Sequence, residues 1–85
     1  MTEAEILGAS IRYRRTVIKG VFERDVLSKV TGVPVETIKA VEHGQASQYP
    51  RSRVYLLIQA LGFPGKDRVY MYRLANAVCP PSLPS

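Results

Sequence analysis

Leu27-Ser28-Lys29-Val30-Thr31-Gly32-Val33-Pro34-Val35-Glu36-Thr37-Ile38-Lys39-Ala40-Val41-Glu42-His43-Gly44 is the most informative segment of the chain. Apolar residues recur at helical spacing on both sides of a break made by Gly32 and Pro34. The spacing predicts one helix over about Glu23 to Val30, with Val26, Leu27 and Val30 inward. It predicts a second over about Pro34 to His43, with Ile38 and Val41 inward. Gly44 then falls where a helix end favours a left-handed residue. Gly32 allows the positive φ that so short a connection needs, and Ser28 is small enough to let the two helices approach.

Burying Ile38 and Val41 turns Val35, Glu36, Lys39, Ala40 and His43 outward together. Two short helices meeting at a glycine-containing turn make the helix-turn-helix pattern. In that motif the second helix lays its outer face in the DNA major groove. Val35 and Ala40 suit a thymine methyl there, Glu36 can accept from cytosine N4, and Lys39 can reach guanine or a phosphate. The alternative is an ordinary solvated face, with Glu36 and Lys39 as a pair one turn apart.

Working outward, the first helix is expected over about Glu3 to Arg15, with Ile6, Leu7 and Ile11 on one stripe. Thr2 and Glu5 fit a capping box at its start. The run from Thr16 to Gly20, with its β-branched residues and glycine, breaks the pattern. A polar loop follows Gly44. A fourth helix starts near Pro50, which suits a first helical turn, and ends at Gly62, with Val54, Leu57, Ile58 and Leu61 inward. A fifth runs from about Lys66 to Val78. The fold class is all-α, a compact bundle of four to five short helices in a single domain over 1–79. Residues 80–85, rich in proline and serine, read as a flexible tail.

Composition narrows the function. The 85 residues are 46% hydrophobic and 22% charged, enough for one globular core. Twelve Lys and Arg against seven Asp and Glu leave a net charge of +5, which points to a polyanionic partner. One cysteine and one histidine cannot build a four-ligand zinc site, so neither metal nor cofactor is expected. Cys79 reads as a bystander near a frayed end. No apolar run approaches the roughly 20 residues of a membrane span. The acidic start is unlike a signal peptide, and a cytoplasmic protein is the expectation. There is no paired-carboxylate site, nucleophile–histidine set or phosphate loop, so the chain is not expected to be an enzyme.

Leu7-Gly8 with Arg12 and Arg15, Gly32-Val33, Ile38, Val41-Glu42-His43-Gly44 and the closing Leu57-Ile58-Gln59-Ala60-Leu61-Gly62-Phe63 occur in a telling order. From Leu7 to Phe63 that order resembles the lambda-repressor and Cro-type helix-turn-helix family. The resemblance implies a compact helical bundle whose third helix reads the major groove. It implies binding as a dimer to a pseudo-palindromic operator, in phage or bacterial gene control. It also implies that a first-helix arginine, Arg15 or Arg14, pairs with Glu42 as a structural ion pair. In this family the last helix often supplies a dimer contact. Here Tyr70, Met71, Tyr72 and Leu74 exceed what one core face needs, the alternative being packing over the monomer's own core.

The candidate DNA-binding set is therefore Pro34, Val35, Glu36, Lys39, Ala40 and His43 on the third helix. Arg24, Arg51 and Arg53, at the starts of the second and fourth helices, would bind phosphates. Gln45, Ser47 and Gln48 in the loop would hydrogen-bond the DNA backbone. Arg12, Arg14, Arg15 and Lys19 form the densest basic cluster, readable as a nucleic-acid stripe or as one ion pair plus solvated charges. The expected function is a sequence-specific double-stranded DNA-binding transcriptional regulator, a repressor or Cro-like protein. The alternative is a protein-interaction module on the same fold, of antirepressor or antitoxin type.

Overall fold

The computed structural model describes residues 1–18 and 22–81. Lys19 and Gly20, expected in the first break, and residues 82–85 of the expected tail lie outside them. Thr2 caps the first helix as its spacing predicts. Its hydroxyl accepts from the Glu5 backbone N–H at 3.2 Å, and the Glu5 carboxylate accepts from the Thr2 N–H at 2.9 Å. That box starts α1, Glu3–Tyr13. The chain then widens into a π-helical turn over Arg14–Ile18, so the break expected from Thr16 does not appear over the described residues 16–18.

Helix α2, Arg24–Thr31, and helix α3, Val35–Glu42, are joined by only three residues. Gly32 makes that possible. It stands at φ 78°, and its N–H closes on the Ser28 carbonyl at 2.7 Å. Gly44 likewise lies at φ 81° just past α3. A short 3-10 turn, Ala46–Gln48, leads to α4, Arg51–Leu61, and Phe63-Pro64 leads to α5, Gly65–Val78. Pro34 and Pro50 sit at the caps of α3 and α4 rather than inside their first turns. The described residues are all helix and connection, with no strand. None of their helices is long and apolar enough to cross a membrane.

The core draws on every helix: Leu7 and Ile11, Leu27, Ile38 and Val41, Leu57, Ile58 and Leu61, and Met71 with Leu74. Burying each such side chain contributes about 1.5–3 kcal/mol. One inward stripe differs from its expected place. Val26 is 46% and Val30 65% exposed, so Leu27 alone of the three predicted residues faces in. The partly or fully buried positions of α2 are instead Arg24, Leu27, Ser28 and Thr31, one helical face at i, i+3, i+4, i+7. Two of its polar members are bonded. Arg24 reaches Glu42, while the Thr31 hydroxyl donates to the Leu27 carbonyl at 2.7 Å and accepts from the Val33 N–H at 3.1 Å. Apolar spacing alone could not register a stripe made of bonded polar groups.

Of the fifth-helix cluster, Met71 and Leu74 belong to the core, and Tyr72 is half-buried. Tyr72 meets Tyr55 edge-to-face, with centroids 4.9 Å apart and planes at 80°. Tyr70 is exposed. Cys79, expected near a frayed end, is buried, and its N–H bonds to the Ala75 carbonyl at 2.8 Å. The tail is not wholly loose either, since the Pro80 carbonyl accepts from the Arg51 N–H at 3.1 Å.

Candidate nucleic-acid interface

Helix α3 buries Thr37, Ile38, Val41 and Glu42 and turns Val35, Glu36, Lys39 and His43 to solvent, with Ala40 half-buried at the boundary. Its inner face is held by more than apolar contact. The Glu42 carboxylate takes Arg15 bidentately, Nε to Oε2 at 2.6 Å and Nη2 to Oε1 at 2.9 Å. Arg24 adds Nε and Nη2 to the same Oε1 at 3.1 and 3.0 Å. A third tie is steric. A methyl group at Gly8 would run into the Val41 carbonyl and lie 2.9 Å from that of Glu42, so the backbones of α1 and α3 touch there. The π-helical turn after α1, the start of α2 and the end of α3 thus meet at one carboxylate, and the outer face of α3 has a fixed orientation.

That outer face carries no internal salt bridge. The ion pairs among the described residues both use Glu42, and Glu36 and Lys39 do not pair with each other. His43 turns back, its Nδ1 lying 2.7 Å from the Lys39 carbonyl. Gln45, Ser47 and Gln48 are exposed on the loop beyond α3, which buried Ala46 pins to the core.

The three flanking arginines separate. Arg53 leans on α3, donating Nη1 to the Thr37 hydroxyl at 3.2 Å. Arg24 is turned inward to Glu42 instead of outward. Arg51 lies against the other flank of α4, its Nη2 3.3 Å from the Cys79 carbonyl and 3.4 Å from that of Asn76. It thereby satisfies carbonyls at the end of α5, a common role for a cation at a helix C-terminus. The first-helix basic cluster divides as well. Arg15 takes the ion pair. Arg14 donates Nε and Nη2 to the Leu61 and Gly62 carbonyls at 3.0 and 2.7 Å and lies 5.6 Å over the Phe63 ring. These carbonyl-capping arginines have no signature in linear spacing, because their partners lie far along the chain.

Charge near α3 is nearly balanced. From Phe22 to Arg53 there are five Lys and Arg against four Asp and Glu. The chain matches no family model, no curated protein and no solved structure.

Proposed function

We propose that α2, the Gly32 turn and α3 act as a helix-turn-helix, and that this protein is a sequence-specific double-stranded DNA-binding transcriptional regulator working in the cytoplasm. The observation that carries the proposal is the two-sidedness of α3. Its inner face is locked by Ile38, Val41 and the Arg15–Glu42–Arg24 cluster, and its outer face presents Val35, Glu36, Lys39 and His43 unpaired by any salt bridge. A rigid helix with a mixed apolar and hydrogen-bonding outer face is what base-edge readout requires.

In this reading Glu36 accepts from a cytosine amino group and Lys39 donates to guanine or a phosphate. Val35 and Ala40 meet thymine methyl groups. Arg53, with Gln45, Ser47 and Gln48, takes the DNA backbone on the side toward α4 and the loop. Two copies on a pseudo-palindromic operator would double a modest half-site. With so few cations near α3, specificity rests on base contacts, and the salt dependence of each half-site is shallow, about two phosphates' worth.

Selection from random duplexes at two salt concentrations, followed by titration of the selected duplex, tests the proposal. A recovered sequence preference that shifts with substitutions at Val35, Glu36 or Lys39 supports it. A wild-type chain that binds no duplex at low salt, or a preference untouched by all three substitutions, removes α3 as a reader.

A further inference from the structure

His43 is the single histidine of the chain and stands exposed at the end of α3. Glu36, Lys39, Ala40 and His43 follow one another at i, i+3, i+4 and i+7, so His43 closes the outer stripe of the helix. At 1.5 Å per residue, Glu36 and His43 are roughly 10 Å apart along the axis. That is close to three base-pair steps of about 3.4 Å. Helix faces of similar length meet three successive bases in other DNA-binding modules.

The end of α3 is closed without help from the imidazole. The Lys39 carbonyl accepts from the His43 backbone N–H at 3.1 Å, the Ala40 carbonyl from that of Gln45 at 2.9 Å, and the Val41 carbonyl from that of Gly44 at 3.1 Å. Gly44 also abuts α1, where a methyl group on it would lie 3.1 Å from Glu5 Cγ. The contact of His43 Nδ1 with the Lys39 carbonyl, at 2.7 Å, is therefore added to a finished cap. Its effect falls on the ring. A carbonyl oxygen has no hydrogen to give, so Nδ1 carries one and donates it. In the neutral ring Nε2 then holds a lone pair and no hydrogen. Nε2 sits on the opposite edge of the ring from that bond, and no described residue bonds to it. One hydrogen bond thus fixes both the tautomer and the setting of the ring.

We propose that His43 is a specificity-determining residue, presenting Nε2 as a fixed acceptor to an adenine or cytosine amino group about three base pairs from the one Glu36 meets. The inference rests on α3 reading duplex DNA and adds the kind of base read at the far end of the helix. In the major groove adenine N6 and cytosine N4 carry hydrogens, whereas guanine and thymine offer acceptors at O6 and O4. Each base pair therefore holds one amino group, on one strand. A fixed acceptor cannot tell A·T from C·G, but it distinguishes A from T and C from G. The signature is a position that admits A or C on one strand and excludes G and T.

Two measurements on the full chain test this. Long-range proton–nitrogen NMR at about pH 8, where an ordinary imidazole is neutral, reads the tautomer without ambiguity, and hydrogen on Nδ1 is expected. Selection from random duplexes at the same pH should recover the A-or-C position in each half-site. His43→Ala should lower discrimination there against G and T at least about tenfold, while Glu36→Ala leaves it in place. The melting curve of His43→Ala should barely move, because the side chain is exposed and the cap is complete. Hydrogen on Nε2 would overturn the proposal. So would a His43→Ala chain that selects the wild-type sequence, whether or not its melting temperature falls. If Glu36 or Lys39 substitutions still shift the preference in that case, α3 stays the reader and His43 is only its end. A wild-type chain that binds no duplex removes both readings.

Discussion

Arg15 grips Glu42 through Nε and Nη2 of its guanidinium, at 2.6 and 2.9 Å, and thereby joins the π-helical turn after α1 to the end of α3 across 27 residues of chain. Both are buried, each only 8% exposed. Arg24 makes the cluster asymmetric, because Glu42 has two partners and Arg15 has one carboxylate. Glu42→Ala therefore strands a buried guanidinium and should cost about 3–5 kcal/mol. Arg15→Ala should cost less, since Arg24 still neutralises Glu42, and Arg24→Ala least of all. Urea melts of the three variants and the Arg15/Glu42 double variant check the order. A double variant whose loss equals the sum of the singles would show that the pair is not coupled.

Gly8→Ala tests the contact between α1 and α3. In an exposed helix interior this change usually stabilises, because alanine is the better helix former. Here the added carbon meets the backbone carbonyls of Val41 and Glu42, and backbone cannot swing aside as a side chain can. A loss of about 1–3 kcal/mol is expected, as for other overpacked cores. Unchanged or raised stability in a chemical melt would mean that the two helices are not in contact at this point.

Arg53 and Arg51 stand two residues apart and should behave oppositely on DNA. Arg53→Ala should weaken specific and random duplexes alike and lower the slope of log affinity against log salt by about one unit. Arg51→Ala should leave that slope alone. Its loss is structural, on the order of 1–3 kcal/mol, because its guanidinium holds carbonyls at the end of α5. Equal slope changes for both variants would show that Arg51 leaves α5 for a phosphate on binding.

Burial pushes the Cys79 thiol above the usual range, with the Arg51 charge opposing in part. An acid whose folded pKa is raised holds its proton longer in the folded chain than in the unfolded one. Stability should therefore fall as pH rises from the unfolded thiol's pKa toward the folded one. Cys79→Ala should flatten that alkaline decline, measured as melting temperature against pH. The native thiol should also react slowly with a disulfide reagent until denaturant is added, as a buried, protonated thiol does. Prompt reaction in the native protein would place Cys79 at the surface.

Glu36→Ala separates readout from attraction. It removes an acceptor proposed for cytosine while also removing a negative charge from the interface. Discrimination at one base pair per half-site should drop by on the order of 1–3 kcal/mol, and affinity for random duplex should hold or rise. Parallel titrations with the selected duplex and a single-base variant measure both. A uniform fall in affinity without loss of preference would place Glu36 outside the base contacts.

The helical class, the order of the five helices, the Thr2–Glu5 cap, the positive-φ turns at Gly32 and Gly44, and the inward residues Leu27, Ile38, Val41, Leu57 and Leu61 were legible in the residues alone. These follow from local rules of spacing, capping and backbone freedom, which act within a few residues of the chain. Which polar side chains turn inward was settled by packing. The inward turn of Arg24 on α2, the choice of Arg15 over Arg14 for Glu42, and the diversion of Arg51 to the end of α5 all depend on acceptors remote in sequence. A guanidinium goes to whichever carboxylate or carbonyl folding leaves without a partner within its reach, and composition and periodicity do not encode that distance.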